Sequence, residues 1–289
     1  MDTADGVDIG PIFGAYVLGI YFNILLYGIV VSSYYHYAQH SQQDRLLIRL
    51  FILCLFVADT TQTVLSVVYV YTGLVTHFGG IRYLSTPGIV STSVPPITGI
   101  MSCSVELFFT YRVKAISHLT WLPILIGILA VISMLSSIAS VIAIRWPAFG
   151  GLETLQLPAV KALVSTWLAT GVVADLLITI SLVWHLHRRK SGFSETDSLV
   201  NRIILFTVQT GVLTTTWAII DLALYLASTR DTHLFFNFSL AKLYTILLMS
   251  SLNHRGTWEP APSKTSGVLS WKVESRPTTE RMSTNDYFV

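Results

Sequence analysis

Seven blocks of mainly apolar residues divide the chain: Pro11–Ser33, Leu47–Tyr71, Val94–Lys114, Trp121–Ala143, Lys161–Trp184, Val200–Ala227 and Leu234–Leu252. Each is close to the roughly 20 residues that a helix needs to cross the hydrocarbon of a bilayer. Inside lipid every backbone N–H and C=O must find a partner within the protein, which restricts an isolated apolar block to the α-helix. The expected fold is therefore all-α, a polytopic membrane protein built as a seven-helix transmembrane bundle. Charged residues are only 12% of the chain, about half the fraction usual in soluble domains, which leaves little for a separate globular unit. The third block is the most polar, with Pro95, Pro96, Ser102, Ser104 and Glu106; without it the topology falls to six spans.

Orientation follows from the basic residues that flank the spans. Arg45, Arg49, Arg112, Lys114, Arg188, Arg189, Lys190, Arg202 and Arg255 fall on one side, against Arg82, Arg145, Lys161 and Arg230 on the other. This asymmetry predicts an outside amino terminus and a cytoplasmic carboxyl terminus. Residues 1–10 are then a short extracytoplasmic segment, acidic at Asp2, Asp5 and Asp8 and without the basic start of a cleavable signal peptide. Residues 11–252 form the transmembrane domain. Residues 253–289, rich in Pro, Ser and Thr, read as a disordered cytoplasmic tail. The basic segment 185–198, HLHRRKSGFSETDS, is expected to meet anionic headgroups and, together with the tail, offers a docking region for a cytoplasmic partner. A net charge of +2 gives no basis for nucleic-acid binding. The membrane of residence, plasma or internal, is not encoded in these features.

The informative residues are those that hydropathy should exclude. Asp59, Glu106, Asp175 and Lys242 fall near the middles of spans 2, 3, 5 and 7, and Asp221 lies in the outer half of span 6. A charged residue at mid-helix costs on the order of 2.5–3.5 kcal/mol, so such residues face the bundle interior. Helical spacing agrees: Asp59, Gln62, Thr63 and Ser66 share one face of span 2, and Thr210, Thr214, Trp217 and Asp221 one face of span 6. Span 5 aligns Gly171, Asp175 and Thr179, with Trp167 two turns away; span 7 has Ser239 a turn before Lys242. These stripes are expected to meet in one polar seam, with Asp59, Gln62, Glu106, Trp167, Asp175, Trp217, Asp221 and Lys242 as candidate ligand- or ion-binding residues. Four carboxyls face one lysine, so Lys242 balances one acid and the others are protonated, hydrated or able to hold a cation.

No catalytic chemistry is visible. All eight histidines lie in loops or at span ends, unlike the converging intramembrane histidines of zinc hydrolases, and no Ser/His/Asp set, CxxC pair or phosphate-binding glycine loop occurs. No metal or cofactor is implied. Tyr111-Arg112 only partly echoes the Asp-Arg-Tyr box of G-protein-coupled receptors, spans 5–7 lack proline, and Cys54 and Cys103 both lie inside spans. Lys242 stands where microbial rhodopsins bind retinal, but Phe238 replaces the acid one turn earlier. The sequon Asn237-Phe238-Ser239 lies within span 7, too close to the bilayer for glycosylation.

The order of motifs resembles a large family of seven-span membrane proteins, abundant in mushroom-forming fungi, that carry a domain of unknown function. The resemblance runs through Trp167 with Asp175, Thr196 before Leu199 and Arg202, Thr210-Gly211 with Leu213-Thr214, and Lys242-Leu243-Tyr244. It closes on Ser251-Leu252-Asn253-His254-Arg255, and in the first half includes Tyr27-Gly28-Ile29, Tyr34, Asp44 and Asp59. It covers roughly Gly14 to Arg255. Glu106 stands where that family usually has glutamine, and Gln62 where histidine is common, so no role passes to either. The resemblance implies a shared scaffold that includes Asp175 and Lys242, and no function. From the residues themselves the expected function is non-enzymatic: a receptor-like or sensor protein that binds a small ligand, a cation or a proton in the seam. A proton- or cation-coupled transporter or channel, and a membrane scaffold, are the alternatives.

Overall fold

The computed structural model describes residues 10–40, 44–76, 89–117, 119–145, 158–188, 194–227 and 233–253. Most of the amino-terminal segment 1–10 and of the tail 253–289 lie outside the described residues. All regular structure among those described is helical. Seven α-helices follow in order: α1 Gly10–His40, α2 Leu46–Tyr71, α3 Ile89–Ile116, α4 Trp121–Arg145, α5 Pro158–Arg188, α6 Ser194–Ala227 and α7 Leu234–Asn253. The end of α2 widens into a π-helical turn at Thr72–Thr76.

Helices α1, α2, α4, α5 and α7 are long and apolar enough to cross a membrane. Apolar side chains such as Leu18, Ile124 and Ile180 stand outward, as a lipid-facing surface requires and as a soluble domain would avoid. Helices α3 and α6 are more polar. For α3 the reason is its position: it packs against α2, α4, α5 and α7, so few of its residues need to satisfy lipid. Pro95 and Pro96 lie within α3 without ending it; nearby Ser and Thr hydroxyls and packed neighbours let interior helices tolerate proline.

Several helices outrun their apolar blocks. Helix α1 continues seven residues past Ser33 to His40, and Tyr37 Oη donates to Asp44 Oδ2 across 2.8 Å. The basic segment predicted as a loop at 185–198 is mostly helical at its edges: His185–Arg188 finish α5 and Ser194–Ser198 begin α6. Hydropathy marks where lipid begins, whereas a helix continues until its backbone bonds fail.

Neighbouring helices pack in chain order, α7 closes against α1 and α6, and α7 also touches α2 and α3. Helix α7 is thus interior, and every residue from Asn237 through Thr245 is buried. Close approaches rest on small residues, the usual means of packing helices in lipid. A Cβ on Gly99 would overlap Ser137 of α4, one on Gly211 would overlap Thr179 of α5, and one on Gly19 would lie 3.0 Å from the Phe235 backbone.

Candidate functional site

The five intramembrane ionisable residues do not meet in one seam. Helix α7 separates them, because Lys242 and Tyr244 are two residues apart and therefore point about 200° from each other around its axis.

On the α2 side, Lys242 is fully buried and its ammonium meets three acceptors: Asp59 Oδ1 at 2.9 Å, the Asp59 backbone carbonyl at 3.2 Å and Gln62 Oε1 at 2.9 Å. Two of these are hydrogen bonds, to the Asp59 carbonyl and to Gln62, and the third, to the Asp59 carboxylate, is an ion pair. Gln62 Nε2 donates in turn to Thr98 Oγ1 of α3 at 3.0 Å. Helices α2, α3 and α7 are thereby tied by one polar chain. The remaining hydroxyls of the predicted α2 stripe bond backward within their own helix, Thr63 to the Asp59 carbonyl and Ser66 to the Gln62 carbonyl, both at 2.8 Å, and Thr63 also lies 3.4 Å from Asn23 Oδ1 of α1. Such local bonding removes their need for water.

On the opposite side, Tyr244 Oη donates to Asp175 Oδ2 at 2.8 Å. Glu106 of α3 lies within electrostatic reach of Asp175, and both its carboxyl oxygens are buried with no hydrogen-bond partner among the described residues. Its Oε1 lies 4.0 Å from where a Gly171 Cβ would stand, which places the acid beside α5 at ordinary contact distance. Glu106, Asp175, Thr214 and Tyr244 line a cavity of about 30 Å³. About 10–15 Å³ suffices for one water molecule, so one or two waters or a small ion fit, and a drug-sized organic molecule does not. The cavity runs toward Ser251 near the end of α7, where Arg112 Nη1 donates to Ser251 Oγ at 2.5 Å.

Asp221 belongs to a third, separate group. Asn237 Nδ2 donates to its Oδ2 at 3.1 Å, while Oδ1 is buried without a hydrogen-bond partner. One turn away, Trp217 Nε1 donates to Ser239 Oγ at 2.8 Å, and its ring stacks on Phe22 with centroids 5.5 Å apart. Asn23 of α1 completes the arrangement by donating to the Phe238 carbonyl at 2.8 Å. Trp167 joins none of these groups. It is packed in the hydrophobic core, and its carbonyl accepts from Ser133 of α4 at 3.1 Å.

The eight predicted residues thus form an ion-paired set (Asp59, Gln62, Lys242), a cavity pair (Glu106, Asp175) and a third group (Trp217, Asp221), with Trp167 apart. The span 5 stripe holds, since Asp175 and Thr179 line one cavity, whereas the span 6 stripe divides, Thr214 lining that cavity and Trp217 and Asp221 serving the third group. Tyr244, Thr98 and Asn237 were missed. Tyr244 is off the Lys242 stripe, and a buried tyrosine or asparagine carries no charge to mark it. Asn237 lies buried against Asp221, which closes the sequon to a glycosylating enzyme. Among the described residues no group of three or more His, Cys, Asp or Glu side chains converges as a metal site.

Residues 171–257 match DUF6534, a family of unknown function. No curated protein and no solved structure matches the chain. The matched stretch includes Asp175, Trp217, Asp221, Lys242 and Tyr244. The partners that the amino-terminal half supplies, Asp59, Gln62 and Glu106, fall outside it.

Proposed function

We propose that this chain is a non-enzymatic, multi-pass membrane protein of sensor type, which takes up a small cation or a proton between Glu106 and Asp175. Its helices are arranged with the amino terminus outside and the carboxyl terminus cytoplasmic, following the excess of Arg and Lys beside one set of loops. One observation carries the reading: two carboxyls and a tyrosine hydroxyl border a small cavity, while the lysine that could neutralise them is ion-paired with Asp59 on the other face of α7. Two carboxylates in a low-dielectric compartment repel strongly, and a proton or cation relieves that repulsion. The available ligands are all oxygens, which suits a hard cation or a proton rather than a thiophilic metal. The small volume narrows the occupant further, since a larger organic ligand has no room.

The test is thermal unfolding of the purified chain in detergent, titrated with sodium, potassium or choline chloride and across pH. A ligand at 100 times its Kd stabilises the binding state by about 2.7 kcal/mol. The melting temperature of the wild type should rise with one small cation, or shift with pH, beyond the choline control, and Asp175→Asn should flatten that response. A wild type indifferent to both salt and pH, or an equal response in Asp175→Asn, would overturn the proposal.

A further inference from the structure

A second, larger recess lies between α5 and α6, at the end of α5. Its volume is about 470 Å³, and its lining is mostly apolar: Ile180, Val183, Trp184 and Val208, with His187 and Arg188 at one end. That size lies within the range of small-molecule sites. Two features distinguish it from an ordinary gap between helices. It opens on the outward surface, where Ile180 and Trp184 are 60% and 57% exposed, so its apolar wall is continuous with the lipid-facing side of the bundle. It also ends at a cation held in place, because the Arg188 guanidinium lies 4.9 Å from the centroid of the Trp184 ring. Stacking on an aromatic face orders a guanidinium while leaving its edge free to donate. Arg189 and Lys190 follow directly in the sequence.

An occupant of this recess must be apolar along most of its length and anionic at one end. We infer that the α5–α6 recess is a binding site for an anionic phospholipid, with its phosphate on Arg188 and an acyl chain along Ile180, Val183 and Val208. The guanidinium edge matches two phosphate oxygens. The position at the end of a span sets Arg188 and Trp184 at the depth where headgroups and interfacial tryptophans belong. A sterol or a free fatty alcohol would fill the apolar part and bring no anion to the guanidinium, which has no counter-ion among the described residues. The assignment does not depend on the Glu106–Asp175 compartment, although Thr179 borders both spaces.

The test is native mass spectrometry of the purified full-length chain, mixed with phosphatidylserine or phosphatidylcholine of the same acyl composition. The wild type should retain phosphatidylserine preferentially. Arg188→Ala should reduce that retention by fivefold or more. Val183→Trp, which fills the recess and leaves the cations in place, should reduce it similarly; Val208→Trp, from the opposite wall, replaces it if that variant fails to fold. Arg49→Ala, an exposed cation at the start of α2, should leave retention unchanged, as should Asp175→Asn. Equal retention of the two lipids, an equal loss in Arg49→Ala, or full retention in both groove-filling variants would each overturn the inference. The first two outcomes would indicate unspecific charge or a general lipid belt, and the third a headgroup contact without a groove.

Discussion

The two faces of α7 bury the same kinds of residue with opposite results. Toward α2, one acid meets one base, and the Lys242 ammonium has three oxygens within 3.2 Å, one of them on the Asp59 carboxylate. Toward α5, two acids and a phenol share a cavity in which Glu106 has no partner among the described residues. Burial alone therefore does not mark a functional charge inside a membrane protein. What separates the compartments is balance: on one face the acid is matched by a base, and on the other two acids border open space with no base beside them among the lining residues. The carboxyl excess evident in the sequence survives in the fold, but it is concentrated at Glu106 and Asp175 and at the partly satisfied Asp221.

The largest effect should come from unbalancing the balanced side. Lys242→Met leaves the Asp59 carboxylate buried without its cation, and removing one partner of a buried pair costs roughly 3–5 kcal/mol. Adding Asp59→Leu should recover most of that loss in equilibrium unfolding in detergent micelles. If the double variant is no more stable than the single, the pair is not the tie between α2 and α7 that its geometry suggests. A smaller loss, about 1–3 kcal/mol for overpacking, is expected from Gly211→Val, which drives a side chain into Thr179. Thr179→Ala in the same chain should relieve it; no relief would place the strain elsewhere. The smallest change in stability belongs to the unbalanced side. Glu106→Gln removes an acid that has no partner to lose, so unfolding should shift by less than about 1 kcal/mol while the response to cations or pH disappears. A large destabilisation with the response retained would reverse the roles assigned to the two faces.

Much of this architecture is legible in the residues. Seven apolar blocks mark seven helices, and the periodic placement of Asp59 with Gln62, and of Asp175 with Thr179, identifies inward faces correctly. The predicted single seam fails for a reason specific to α7. A stripe implies one inward face, but a helix enclosed by α1, α2, α3 and α6 has an interior on nearly every side. Its polar residues can therefore serve different neighbours: Lys242 turns to Asp59, Tyr244 to Asp175, and Asn237 to Asp221. Hydroxyl stripes mislead in a related way, since Ser66 satisfies itself on the preceding turn and Thr63 does so there and against Asn23 of α1.

Local chemistry was thus sufficient for the helical class, the approximate helices, and the identity of the five ionisable residues buried in the bundle. Each of those properties depends on composition and on a 3.6-residue period, both of which are contained within one helix. Partnership is different. Which acid Lys242 neutralises, and which acids remain facing a cavity, depends on how helices far apart in the chain rotate and dock. Hydropathy does not distinguish those arrangements, because an inward face is equally inward beside any neighbour.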